Sequence, residues 1–319
     1  MIEVKMKIVT FESLAAHESL TGSQLHTFCE TNGLQSKLIC NTNKSIFLDE
    51  ISDLTEKCAY GDFIIINIEA HGLVDKSGIK LTDSSICWSE LSESLVCLNQ
   101  KIGMRLILLF STCYGAYFYE VVSLSKGCPY YKFFGPDSTI HPDKILETNK
   151  AVISALKQDD NLSLIVEEKN KYFIHSDVKY IYFDAIDLFR KAYEKYIEES
   201  LSIESVKQRI ANYEPLFKRY AEISRHNGHF MQTEMFFKKM YGDGLFEKRG
   251  MESKFIEMQE RFLMINDRSF DIYEMIDFTF DSIIYKSNFE KHKSNWETFR
   301  DNLNGSDGVM RCSPKSVQD

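Results

Sequence analysis

The chain predicts an α/β fold: a six-stranded, mostly parallel sheet with helices on both faces, followed by an all-α C-terminal region. Three observations predict it. Six short apolar runs alternate with amphipathic stretches over residues 1–180, the signature of strand–helix units folded on a parallel sheet. Two of the runs, Ile64–Ile68 and Leu106–Phe110, are almost wholly apolar, as strands buried on both faces require. From about Ile181 onward the strand pattern stops and 3.6-residue periodicity takes over.

In order, the strand candidates are Met6–Phe11, Ser36–Cys40, Phe63–Glu69, Leu106–Ser111, Tyr131–Phe134 and Tyr172–His175. Helix candidates lie between them at Gly22–Thr31, Ser45–Cys58, Trp88–Leu98, Gly115–Leu124 and Pro142–Lys157. Thr21 and Asn43 are placed to cap the first two, and Ser85 or Cys87 would start the third.

Residues 181–304 form the expected helical region, with candidates at Ala185–Glu198, Ser205–Ser224, Phe230–Met240, Glu252–Met264 and Tyr273–Tyr285. Breaks are expected at Asn227-Gly228 and at Gly242-Asp243-Gly244, where glycine interrupts the pattern. The chain has only five prolines, which suits long helices. Tyr220-Ala221-Glu222-Ile223, then Gly228-His229-Phe230, Thr233, Phe237 and Met240, resembles one tetratricopeptide-type hairpin. An ordinary helix pair reads the same residues as well, because one repeat cannot bury its own face. Residues 305–319 are polar and turn-rich and read as a disordered tail.

The net charge of −9 argues against direct nucleic-acid binding, which wants a basic stripe. None of the eight cysteines forms a Cys-x-x-Cys pair, so a reducing, cytoplasmic setting is expected rather than a disulfide framework. The start, Met1-Ile2-Glu3-Val4-Lys5, runs into a strand pattern instead of a leader. No apolar run reaches membrane-spanning length. No metal and no cofactor are expected. His226-Asn227-Gly228-His229 lacks further ligands at metal spacing, Asp159-Asp160-Asn161 lacks the rest of a calcium loop, and Gly242-Asp243-Gly244 follows no strand.

The chemistry is carried by two strand ends. Ile64–Ile68 leads to His71-Gly72, and Leu106–Phe110 leads to Cys113-Tyr114-Gly115. If the two strands are parallel neighbours, imidazole and thiol stand side by side at their carboxyl ends, where open α/β sheets place active sites. Cys113 would be the nucleophile and His71 its proton partner. A helix beginning at Gly115 would favour thiolate and oxyanion through its amino terminus. The amides of Gly72 and Cys113 could form the oxyanion hole.

Apolar-strand–His-Gly followed roughly 40 residues later by apolar-strand–x-x-Cys-x-Gly resembles the caspase-like cysteine peptidases. That superfamily holds caspases, metacaspases, separases, gingipains, legumains and the bacterial CHAT peptidases. The resemblance covers residues 1–190 and extends to Phe133-Phe134-Gly135-Pro136 and Ile140-His141-Pro142-Asp143. It implies the six-stranded sheet, Cys113 as nucleophile, His71 as partner, and oxyanion amides from Gly72 and Cys113. The chain departs from the pattern before the cysteine. Ser111 stands where metacaspases carry an aspartate, and Ser111-Thr112 where caspases carry glutamine-alanine. Neither P1 preference therefore transfers, and the candidate substrate-binding residues are Asp75, Asp137 and His141.

The leading expectation is a regulated cysteine endopeptidase that cleaves a protein partner, with the helical region binding a substrate, a regulator or a second copy. By analogy with bacterial members it would act in stress or antiviral defence. The alternative is a non-catalytic binding module acting through its helical region. A third reading, a flavodoxin-like or nucleotide-binding α/β protein with an incidental dyad, wants a phosphate-binding loop with a glycine pattern after the first strand. Glu12-Ser13-Leu14-Ala15-Ala16-His17 is not one.

Overall fold

The structure, a computed structural model, describes residues 6–40, 43–158, 179–226, 234–265, 276 and 278–305. The expected strand Tyr172–His175, the break at Asn227-Gly228, Gly228, His229, Phe230 and Thr233 of the helical hairpin, and the tail from residue 306 lie outside the described residues. The chain divides into two compact units, one from Met1–Phe189 with Met258–Ile276, the other from Arg190–Glu257 with Asp277–Asp319.

The first unit is built on a six-stranded sheet. Its strands are β1 (Met6–Glu12), β2 (Gln35–Cys40), β3 (Phe63–Glu69), β7 (Leu106–Ser111), β8 (Lys132–Pro136) and β9 (Tyr180–Asp184). Their order is β2-β1-β3-β7-β8-β9. All neighbours are parallel except β8 and β9. A second, three-stranded antiparallel sheet follows β3: β4 (His71–Gly72), β5 (Gly78–Lys80) and β6 (Ser85–Cys87).

Alternation along the strands sorts side chains between two helical layers. Ile8, Ile65, Ile107 and Leu109 face one way, into a core with Leu25 and Cys29 of α1 (Thr21–Thr31) and Val152 and Ile153 of α4 (Pro142–Gln158). Phe11 faces the other way and meets Phe47 of α2 (Lys44–Lys57), with ring centroids 4.4 Å apart. Phe110 does likewise, meeting the edge of Trp88 at 5.4 Å, where α3 (Trp88–Lys101) begins. The wholly apolar runs of β3 and β7 follow from this: both faces of the two central strands are covered.

Helix starts show how local chemistry sets the boundaries. Asn43 caps α2, its side-chain oxygen accepting the Ile46 N–H at 2.9 Å. Cys87 caps α3 together with Glu90. Thr21 does not cap α1. Leu20 holds the cap position and offers no side-chain bond. The Glu12 carboxylate at the end of β1 takes over, accepting the Ser23 N–H at 2.8 Å and the Ser23 hydroxyl at 2.9 Å.

Several expectations are corrected. The sixth strand described is Tyr180–Asp184, antiparallel to β8, inside the stretch expected to turn helical. It is an edge strand held by stacking, Tyr182 on Phe134 at 4.9 Å and Phe183 on Phe133 at 5.6 Å. Gly115–Leu124 is not an α-helix but a 3-10 helix over Gly115–Val121. Ser205–Ser224 is two helices, α6 (Ile203–Asn212) and α7 (Glu214–His226), because Pro215 in the first turn of α7 has no N–H with which to continue α6. The glycines at 242 and 244 do not break α8 (Glu234–Leu245). Gly242 lies flush against the Trp296 indole, where a Cβ would overlap the ring. That indole also donates to Asp243 Oδ1 at 2.8 Å.

The remaining helices are α5 (Ala185–Ser200), α9 (Lys248–Phe262), α10 (Phe280–Lys286) and α11 (Phe289–Gly305). In the second unit Trp296 of α11 stacks on Phe246, and Tyr193 meets Phe255 edge-on. No helix among the described residues is long and apolar enough to cross a membrane.

Candidate active site at the sheet's carboxyl edge

β3 and β7 pair in parallel with Glu69 opposite Ser111. His71 and Cys113 each lie two residues beyond that pair, so the register leaves them level at the carboxyl edge. The two chain ends meet there through backbone. A Cβ on Gly72 would overlap the Cys113 carbonyl oxygen and stand 2.8 Å from its carbon. Only glycine allows this approach.

The turn at Cys113 is tight. Tyr114 adopts a left-handed conformation, with φ of 60°. Its N–H donates to Ser138 O at 3.2 Å, and the Gly115 N–H donates to Thr112 O at 3.1 Å. Gly115 packs over Phe110, where a Cβ would sit 2.6 Å from Phe110 Cβ. The result is a sharp corner that leaves Cys113 half-buried. The amides on its C-terminal side are engaged, while the Cys113 N–H makes no hydrogen bond among the described residues. On the other strand end the Leu73 N–H donates to Gly78 O at 3.0 Å. Alternation in an antiparallel pair therefore turns the Gly72 N–H away from β5. With only a short 3-10 helix following, the expected helix-dipole contribution at Cys113 shrinks to what a few orphan N–H groups supply.

His71 is half-exposed, and its Nε2 lies 2.8 Å from Glu18 Oε1. No hydrogen bond joins His71 to Cys113 among the described residues. Glu18 belongs to the loop after β1, directly beyond the stretch Glu12–His17 that carries no phosphate motif. Its other oxygen accepts the Ala15 N–H at 2.6 Å. That backbone bond, with the neighbouring His71 and His17, holds the carboxyl below its ordinary range. The signal that could have found it is topological: the loop after a strand adjoining β3 opens on the same edge.

Beneath the edge lies a buried polar network. The Ser111 hydroxyl donates to Asn67 Oδ1 at 2.7 Å. Asn149 Nδ2 donates to Ser111 Oγ at 2.7 Å and to Asn67 Oδ1 at 3.2 Å. The Tyr180 hydroxyl donates to Asn149 Oδ1 at 2.7 Å. Four elements, β3, β7, α4 and β9, are thereby fixed just below Cys113. Beside the network Glu12 and Glu69 stand opposite each other, 3% and 4% exposed. Burial, then the Glu12 charge, pushes the Glu69 carboxyl up to about 8.

The substrate-binding candidates are spread out. Asp75 lines a cleft of about 440 Å³ with Lys76, Ser77, Trp88, Tyr117 and Glu120. Its carboxyl is held low by the Ser77 hydroxyl and N–H. Lys76 Nζ donates to the Tyr117 hydroxyl at 2.8 Å and sits over the Tyr114 and Tyr117 rings. The cleft thus holds both signs of charge. Asp137 is tied to Lys179, accepting its N–H at 2.8 Å, and to the Ser138 hydroxyl. His141 stands at the start of α4, where its carbonyl accepts the Lys144 and Ile145 N–H groups. Among the described residues no three His, Cys, Asp or Glu side chains gather at metal-binding distance.

No protein-family model matches the chain, and no curated protein does.

Proposed function

We propose that the protein is a cysteine endopeptidase that uses Cys113 and His71 to cleave a protein partner. The observation that carries the reading is the level register of β3 and β7, which sets the two residues at one sheet edge with Gly72 against Cys113. In this reading His71 takes the thiol proton, and the thiolate attacks the scissile carbonyl, forming a carbon–sulfur bond. The Gly72 and Cys113 N–H groups receive the oxyanion. Collapse breaks the carbon–nitrogen bond, and His71 gives its proton to the leaving amine. Water, deprotonated by His71, then hydrolyses the thioester to release the acid and restore the thiol.

The helical C-terminal region is the recognition surface in this account, for substrate or for a regulatory protein. The described cysteines are all free thiols, which suits a reducing, cytoplasmic compartment. A second reading, a binding module without catalysis, draws on the engagement of His71 by Glu18 rather than by Cys113.

Incubation of a diverse peptide library with wild type and Cys113→Ala, read by mass spectrometry, tests the proposal. Cuts made by the wild type alone support it and give the P1 residue. Cleavage by the variant at the wild-type rate overturns it.

A further inference from the structure

We infer that Glu18 is the positioning residue of this site: its carboxylate fixes His71 through Nε2, so that Nδ1 is the nitrogen left to exchange a proton with Cys113. The inference rests on the peptidase reading and adds a third member to its dyad.

A neutral imidazole has one N–H and one lone-pair nitrogen, and a carboxylate only accepts. With Glu18 Oε1 at 2.8 Å from Nε2, the proton belongs on Nε2 and Nδ1 becomes the acceptor. When His71 takes up a proton, the same carboxylate faces the positive charge.

Glu18 can impose this geometry because it is itself held. Its Oε2 accepts the Ala15 N–H at 2.6 Å, and its own N–H donates to Ala15 O at 2.9 Å, so backbone and side chain close one turn. The loop carrying that turn is anchored next to the histidine. The Ser13 N–H donates to Glu69 O at 2.8 Å, two residues before His71. The Ser13 hydroxyl bonds Thr82 Oγ1 at 3.0 Å, in the turn between β5 and β6. Since β5 pairs with the strand containing His71, Glu18 and His71 share one scaffold. Their side chains are 29% and 53% exposed, so solvent screens the pair and its effect is modest.

The test uses the full chain and two readouts. Nitrogen-15 NMR of labelled histidine reports the His71 tautomer. Iodoacetamide alkylation, mapped by mass spectrometry across pH, reports thiolate formation at Cys113. The wild type is expected to show the Nε2–H tautomer. Glu18→Ala is expected to mix the tautomers, raise the pH at which Cys113 becomes reactive, and slow its alkylation at pH 7 about two- to fivefold. Glu18→Gln keeps an acceptor but loses the charge, so it should retain the tautomer and still shift the pH profile. His71→Ala should slow Cys113 about 100-fold. An unchanged tautomer and pH profile in the Glu18 variants, with His71→Ala impaired, overturns the role of Glu18 and leaves the dyad standing. A His71→Ala protein whose Cys113 behaves as wild type overturns the dyad, and the positioning role with it. If Glu18→Ala does not fold, the pH profile of Glu18→Gln decides: a shift supports the role, and no shift overturns it.

Discussion

Replacing Glu69 by glutamine should change how stability depends on pH. Glu69 is almost wholly buried opposite Glu12, and burial and that charge push its carboxyl up to about 8 from an ordinary 4.5. In the unfolded chain it titrates near 4.5. Between those values the folded state therefore binds more protons than the unfolded state, and stability falls as pH rises. The interval from 4.5 to about 8, at about 1.4 kcal/mol per pH unit, sets an upper bound on the order of 5 kcal/mol. The Glu69 contribution is fully present below about pH 4.5 and gone above about pH 8. Glu69→Gln cannot ionise, so its advantage over wild type should grow with pH and reach about 2–5 kcal/mol at pH 9. Urea unfolding followed by tryptophan fluorescence, run on both proteins from pH 5 to pH 9, measures the difference. A difference that stays constant across that range would refute the reasoning.

Asn149→Ala removes three buried hydrogen bonds, to Ser111, Asn67 and Tyr180, at about 1 kcal/mol each. A stability loss of about 3 kcal/mol is expected in chemical denaturation. Gly72→Ala puts a methyl group into the Cys113 carbonyl. It should cost about 1–3 kcal/mol by parting two backbones, and should slow any Cys113-dependent cleavage more than a conservative surface change does. Cys113→Ala should lose cleavage with its thermal midpoint within a few degrees of wild type, because the thiol is half-buried and makes no hydrogen bond among the described residues.

The central sheet could be read from sequence where burial leaves a one-dimensional signal. β3 and β7 are covered on both faces, so the expected strands Phe63–Glu69 and Leu106–Ser111 match the observed ones end for end. β9 could not be read so, because Tyr180-Ile181-Tyr182-Phe183-Asp184 at a half-buried edge resembles the first turn of a helix as much as a strand. The 3-10 turn after Cys113 leaves no periodic signal in so short a stretch; Gly115 and Phe118 both pack on Phe110. Gly242 reads as a break because the reason for a residue without a side chain, the Trp296 indole, lies 54 positions along. At the candidate site, His71, Gly72 and Cys113 stand out in the sequence because each follows an apolar run. Glu18 was not, because its partner is distant in sequence and its loop has no periodicity. The Asn67–Ser111–Asn149–Tyr180 network was invisible for the same reason: its members lie on four separate elements.

The measurement that bears most directly on the central claim is the relative alkylation rate of Cys113 in the wild-type protein at pH 7. Cys40 and Cys97 are exposed, while Cys113 is only partly so, and exposure alone would make it slower. The account predicts that Cys113 reacts fastest of the three, and that His71→Ala removes the advantage while leaving Cys40 and Cys97 unchanged. Rates that follow exposure, with Cys113 behind both and indifferent to His71, would contradict it.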